Sequence, residues 1–167
     1  TGLIDLVVSQ IHPNSKSHLA DVGCGYGTTA NYLNDRYGCS IAGYTISEQQ
    51  YRLGQRFGIN NGVTLEQLDW LQIHGKDNTF DGLISLECLC HITHKRLFFQ
   101  RVLETLKPRA RAAITTLAVS PRGKAWFEAG LLRPLCREAL FPNLGLSQDL
   151  VTWPRAVGLR VIDCLDI

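Results

Sequence analysis

Asp21-Val22-Gly23-Cys24-Gly25-Tyr26-Gly27 places an acid and three alternating glycines directly after the apolar run that starts at Leu19. Glycine lets the backbone bend sharply and approach a ligand with no side chain in the way. Downstream, Thr28–Tyr37 carries Ala30, Leu33 and Tyr37 at helical spacing, with Gly38 as a stop. The spacing therefore predicts a strand over Leu19–Cys24, a glycine loop, and a helix.

The same alternation continues outward. Ser40–Tyr44 reads as a second strand, and Ser47 with Gln50 has the spacing of a capping box opening a helix to about Gly58. Val63–Leu68 and Phe80–Leu86 read as the third and fourth strands. From Lys95 to Leu106 the residues Phe98, Phe99, Val102, Leu103 and Leu106 form one apolar face, and Pro108 is expected to end that helix. Arg111–Leu117 is the fifth expected strand and Leu159–Asp163 the sixth. Residues 118–146 break the pattern with a Leu-rich stretch, read as a helical insertion. A further helix is expected from Ser147 to about Val157, interrupted by Pro154. Short strands alternating with longer helices predict an α/β fold, a Rossmann-like, mainly parallel sheet with helices on both faces. Ligands then bind beyond the carboxyl ends of the strands.

Composition narrows the class. The 167 residues are 45% apolar and 19% charged, and 17 basic against 15 acidic side chains leave a net charge of +2. This suits one domain with its own core. No basic run exceeds Lys95-Arg96, which argues against nucleic acid as partner. No stretch has the length of a spanning helix, so no stable membrane insertion and a cytoplasmic location are expected. The six cysteines at 24, 39, 88, 90, 136 and 164 form no Cys-x-x-Cys pair and read as free thiols. Cys88 and Cys90 alone make an incomplete zinc set, so no metal is expected.

A dinucleotide loop would want its third glycine at position 28, where Thr28 stands, and an acid at the end of the second strand, where Tyr44-Thr45-Ile46 supplies none. Asp21 counts against a pyrophosphate there and suits a ligand with a cationic end. An ordinary tight strand-to-helix turn would need no ligand at all.

The stretch Leu19–Leu33, LADVGCGYGTTANYL, resembles motif I of the class I S-adenosylmethionine-dependent methyltransferases. The resemblance continues through Asp69-Trp70, Phe80–Ile92 and Phe98–Pro108. Gly43–Ser47 followed by Gln50 looks like the branch of cyclopropane-fatty-acid synthases and tocopherol or sterol methyltransferases, as does the Glu-containing, His-ended segment Ser85–His91. The resemblance implies S-adenosylmethionine as cofactor. Asp21, Gly23 and Gly25 would line its methionine end, Gln50 its ribose, and Asp69 with Trp70 its adenine. Cys24, Tyr44, Thr45 and Leu86 complete the expected cofactor-binding set. Glu87 would stand at the mouth of the acceptor site, and Glu87 and His91 are the expected catalytic side chains. The acceptor would be a small, apolar or natural-product molecule, with the insertion as a lid over it. Two other readings stay open: a methyltransferase-like domain that binds without turnover, and a dinucleotide oxidoreductase.

Two departures from the family pattern stand out. Lys107-Pro108-Arg109-Ala110 replaces the usual Lys-Pro-Gly-Gly, so the turn must be built differently. No sequence remains for the family's seventh, antiparallel strand. With no methionine anywhere in the chain, the expectation is a fold cut short and not fully active alone, whose sixth strand needs cover from further polypeptide or from a second copy in a homo-oligomer.

Overall fold

The computed structural model describes residues 2–142 and 144–166. Five strands, β1 (His18–Val22), β2 (Ser40–Thr45), β3 (Val63–Gln67), β4 (Phe80–Leu86) and β5 (Leu106–Thr115), form one sheet in the order β3-β2-β1-β4-β5. Every pairing is parallel. The chain order reverses between β1 and β4, and this switch point is where an open parallel sheet leaves a crevice at its carboxyl ends.

Side-chain alternation divides the core between the two faces of the sheet. Leu19, Ile41, Val63, Leu65 and Ile84 pack with Val8, Ala30 and Leu33, so α1 (Gly2–Ser9), α2 (Thr28–Tyr37) and α3 (Glu48–Phe57) serve one face. Ala20, Val22, Ala42, Tyr44 and Leu83 pack with Phe98, Phe99 and Val102 of α4 (Lys95–Thr105) on the other. Two short helices follow β5, α5 (Lys124–Glu128) and α6 (Arg133–Glu138), and α7 (Asp149–Ala156) returns to α4. The ends of the insertion close on each other: Val119 bridges Leu146, with Val119 N donating to Gly145 O at 2.9 Å and Ser147 N to Val119 O at 2.9 Å.

Several expectations change. The first strand stops at Val22, because Gly23 turns at φ 79°. Helix α1 lies outside the elements expected from the sequence. Strand β5 begins five residues early, at Leu106. Phe80 pairs with Leu106 and Gly82 with Arg111, so Lys107–Ala110 bulge opposite Asp81. Pro108 costs no ladder bond there, because β5 is an edge strand. Asp81 clamps the bulge, accepting from Lys107 Nζ at 2.7 Å and from His18 N at 2.9 Å. Where the family pattern has glycine, Arg109 takes the left-handed conformation itself, at φ 69°.

The expected sixth strand, Leu159–Asp163, does not form. A strand exists only when a neighbour completes its hydrogen bonds, and none lies beside these residues among those described. Leu159 still packs on the second core cluster, while Ile162 is 62% exposed. The sheet's two edges are β3 and β5.

Candidate active site

The glycine loop follows β1 at the switch point. Gly23, Gly25 and Gly27 take φ of 79°, 57° and 82°. Gly23 N and Cys24 N both donate to Tyr44 O, at 2.9 and 3.1 Å, which ties the loop to the end of β2. Gly27 N donates to Cys24 O at 2.9 Å, but the Gly25 and Tyr26 N–H groups have no partner among the described residues. A Cβ at Gly25 would meet open space, whereas one at Gly23 would strike Cys88. The loop thus presents free backbone donors at its open side and is backed by the β4 end at the other.

Asp21 lies beneath this loop. It is 2% exposed, flanked in the sheet by Gly43 and Ile84, and its Oδ2 has no hydrogen-bond partner among the described residues. Burial pushes its carboxyl up to about 7. A buried oxygen without a donor is costly, and a cationic or donating ligand removes that cost. The same burial, with Asp21 beside it, pushes the Cys24 thiol up.

At the end of β2, Thr45 Oγ1 donates to Gln50 Oε1 at 2.8 Å and accepts from Ser47 N at 3.2 Å, while Gln50 N donates to Ser47 Oγ at 3.2 Å. The expected capping box is therefore half made. The Gln50 side chain turns to Thr45 instead of Ser47 N, leaving its amide NH2 without a partner among the described residues. After β3, Asp69 Oδ1 accepts from Leu71 N at 2.9 Å and caps a short 3-10 turn, Trp70–Gln72.

Two expected contacts change character. Trp70 is 3% exposed and its ring packs 5.3 Å from Tyr44, so its indole offers no open face to an adenine; packing within the second core cluster takes that face. Tyr44 is likewise buried, with its phenol pushed up, and it reaches the loop through its carbonyl. Leu86 ends β4, half-buried against the first core cluster.

Glu87, the next residue, is exposed and adopts φ 52°, its N–H donating to Thr115 O at 3.0 Å. His91 is also exposed. Its Nδ1 lies 3.2 Å from Leu140 O and its ring 5.1 Å from Phe141. A carbonyl only accepts, so Nδ1 is the donor in this contact and Nε2 is the ring nitrogen not used by it. Cys88 lies between them, its thiol pushed up to about 11 by burial first, with Ser85 opposing. Lys95 had no expected role beyond opening a helix, yet it is 4% exposed and its ammonium donates to Ile92 O, fixing the turn after β4. Burial holds it below the usual lysine range. Ser85 Oγ, donating to Val22 O at 2.9 Å, joins the ends of β4 and β1.

The profile of the family described as mycolic acid cyclopropane synthetase matches residues 3–166. The chain belongs to this family. Among relatives of the family member, norajmaline N-methyltransferase of Rauvolfia serpentina is 28% identical over 151 residues, 84% of this chain and 52% of the relative. O-methyltransferase cnsE of Penicillium expansum is 30% identical over 162 residues, 95% of this chain and 57% of the relative. In structure the synthetase-family chain resembles geranyl diphosphate C-methyltransferase of Streptomyces coelicolor A3(2), solved with Mg2+, geranyl diphosphate and S-adenosyl-L-homocysteine. The TM-score is 0.77 at 17% identity, covering 93% of this chain and 57% of that one. That likeness establishes the shared methyltransferase fold. The chain spans between about half and three-fifths of the length of these relatives.

Proposed function

We propose that this chain binds S-adenosylmethionine at the carboxyl ends of β1 and β2 and transfers its methyl group to a small, apolar or natural-product acceptor. The observation that carries the reading is Asp21: a buried carboxyl with an unpartnered Oδ2 under a loop whose Gly25 faces open space. The residues present fit the cofactor. Asp21 offers an acceptor to the ammonium end, the free N–H groups of Gly25 and Tyr26 offer donors, and the Gln50 amide can donate to ribose hydroxyls. Asp69 keeps Oδ2 for the adenosine end. When bound, S-adenosylmethionine supplies an electrophilic methyl group on a sulfonium.

The protein's share of the chemistry is orientation, because a direct displacement needs the acceptor held in line at close approach. Glu87 and His91, both beyond β4, meet the acceptor. His91 takes a proton at Nε2 where the acceptor must lose one, its ring fixed by the Leu140 carbonyl. Residues 118–146 act as the lid within a single domain, since they stand beside His91 through Leu140 and Phe141. The relatives' names include N-, O- and C-methyltransferases, so the atom methylated is left open. A cytoplasmic location is part of this proposal; no helix among the described residues is long and apolar enough to cross a membrane.

Calorimetry with S-adenosylhomocysteine tests the site. Asp21→Ala should weaken binding by about 1.5 to 3 kcal/mol, and unchanged affinity sinks the assignment. Binding of NAD instead would favour the oxidoreductase reading, and binding without label transfer from methyl-labelled cofactor would favour an inactive domain.

A further inference from the structure

Residues 120–142 carry two rows of apolar side chains, offset by one position. Phe127, Leu132, Cys136 and Phe141 form the inner row, packed against Cys90, Val119 and Leu144. The residue before each, Trp126, Leu131, Leu135 and Leu140, forms an outer row that is 64%, 66%, 59% and 75% exposed. Single exposed leucines are ordinary, but four large apolar side chains from one short stretch, with a tryptophan among them, mark a surface that meets something apolar.

Charge says what. Four basic and two acidic residues lie in 120–142, so this stretch alone accounts for the net charge of +2 of the whole chain. Lys124 is taken by Glu128 at 3.7 Å. Arg122, Arg133 and Arg137 are exposed and form no ion pair among the described residues. Leucines and a tryptophan interleaved with unpaired arginines suit a bilayer interface, where the rings and aliphatic chains enter the acyl boundary and the guanidinium groups stay with anionic headgroups.

We infer that α5 and α6 dock this protein on an anionic lipid surface through Trp126, Leu131, Leu135 and Leu140, with Arg122, Arg133 and Arg137 against the headgroups. The docking is peripheral, because only the outer row is available. The use of it, passing an apolar acceptor from the lipid to the site beside His91, rests on the function proposed above. The docking itself does not. Leu140 belongs to the outer row and its carbonyl meets His91 Nδ1, so the lipid-facing surface and the acceptor mouth share one residue.

The test is vesicle co-sedimentation of the intact chain without cofactor, on phosphatidylcholine and on phosphatidylcholine with about 30% phosphatidylglycerol. We expect about tenfold stronger partition on the anionic vesicles, weakened by salt. Arg133→Glu with Arg137→Glu should remove that preference, and Trp126→Ser with Leu135→Ser should lower partition about tenfold on both compositions. Melting curves should stay unchanged in all variants, which separates lost docking from a lost fold. Wild-type protein left in the supernatant, or variants that sediment like wild type, overturns the inference. So does a dimer dissociated by Leu135→Ser with no vesicle binding, which would assign the face to a second copy. Vesicle binding without S-adenosylhomocysteine binding overturns the cofactor reading and supports the docking surface.

Discussion

Thr45 Oγ1 donates to Gln50 Oε1 at 2.8 Å, so the acceptor end of the amide is used and its donor end is left for a ligand. Gln50→Ala should weaken S-adenosylhomocysteine binding by about 1 kcal/mol, roughly fivefold. Gln50→Glu should bind within a few-fold of wild type, because one carboxylate oxygen keeps the Thr45 bond and the other accepts from a ribose hydroxyl. If Thr45 orients Gln50, Thr45→Val should cost nearly as much as Gln50→Ala, and the double variant little more. Additive losses in calorimetry would show that the two act separately.

Gly23 and Cys88 fix the glycine loop against the end of β4. A Cβ built on Gly23 would come within 2.4 Å of Cys88 Cβ and 2.5 Å of its Sγ, at φ 79°. Gly23→Ala should therefore lower stability by about 2 to 4 kcal/mol, combining overpacking with left-handed strain. Cys88→Gly in that background should recover the packing part and leave the strain. Equal denaturation midpoints for the single and double variants would disprove the contact.

How much of this was readable from residues alone follows from what kind of information each feature needs. Helix α2 was readable because Gly27 and Gly38 bracket it, and β4 because its apolar run is bounded on both sides. The pattern for α1 was also there, with Ile4, Val7, Val8 and Ile11 at helical spacing on the first core cluster. The start of β5 was hidden, because Lys107-Pro108 reads as a turn until the strand is known to be an edge. Leu159–Asp163 has strand composition but lacks a neighbour, and pairing is not a local property. In the site, the loop and Gln50 were readable as positions. The orphaned Asp21 Oδ2, the burial of Trp70 and the 49-residue contact from His91 to Leu140 depend on packing that sequence does not display.

Two non-glycine residues with positive φ separate strain kept for structure from strain kept at a site. Arg109 at φ 69° lies in the bulge before the regular part of β5, and Glu87 at φ 52° follows β4 at the proposed acceptor mouth. Replacing either by glycine should raise stability by about 0.5 to 1 kcal/mol, since glycine carries no left-handed penalty. Arg109→Gly should leave methyl transfer unchanged. Glu87→Gly should lower it by about a hundredfold. Equal turnover in the two variants, measured once an acceptor is in hand, would remove Glu87 from the reaction.

In the proposed site, Asp21 should make cofactor binding and folding respond to pH in opposite senses. Its carboxyl sits at about 7 in the folded chain against 3.8 as the ordinary value, so between those values the folded state binds more protons than the unfolded one. The protonated carboxyl favours the fold. This contribution is fully present below about pH 4, fades as pH rises, and is gone above about 7, a difference on the order of a few kcal/mol. Asp21→Asn cannot ionise, so without ligand it should melt higher than wild type at pH 8 and close to it at pH 4. Taking the difference between the two proteins cancels the carboxylates they share, including Asp81 and Glu104, both held low in the fold: Asp81 against its own burial, Glu104 chiefly by Arg101. Binding runs the other way, because an ammonium end needs the ionised form. S-adenosylhomocysteine affinity should fall by up to about tenfold per pH unit below 7, with a proton released on binding. Asp21→Asn should bind weakly at every pH with no such release. Calorimetry at pH 6 in two buffers of different ionisation enthalpy reads that proton directly, and equal heats in both buffers would show that Asp21 is already ionised before the ligand arrives.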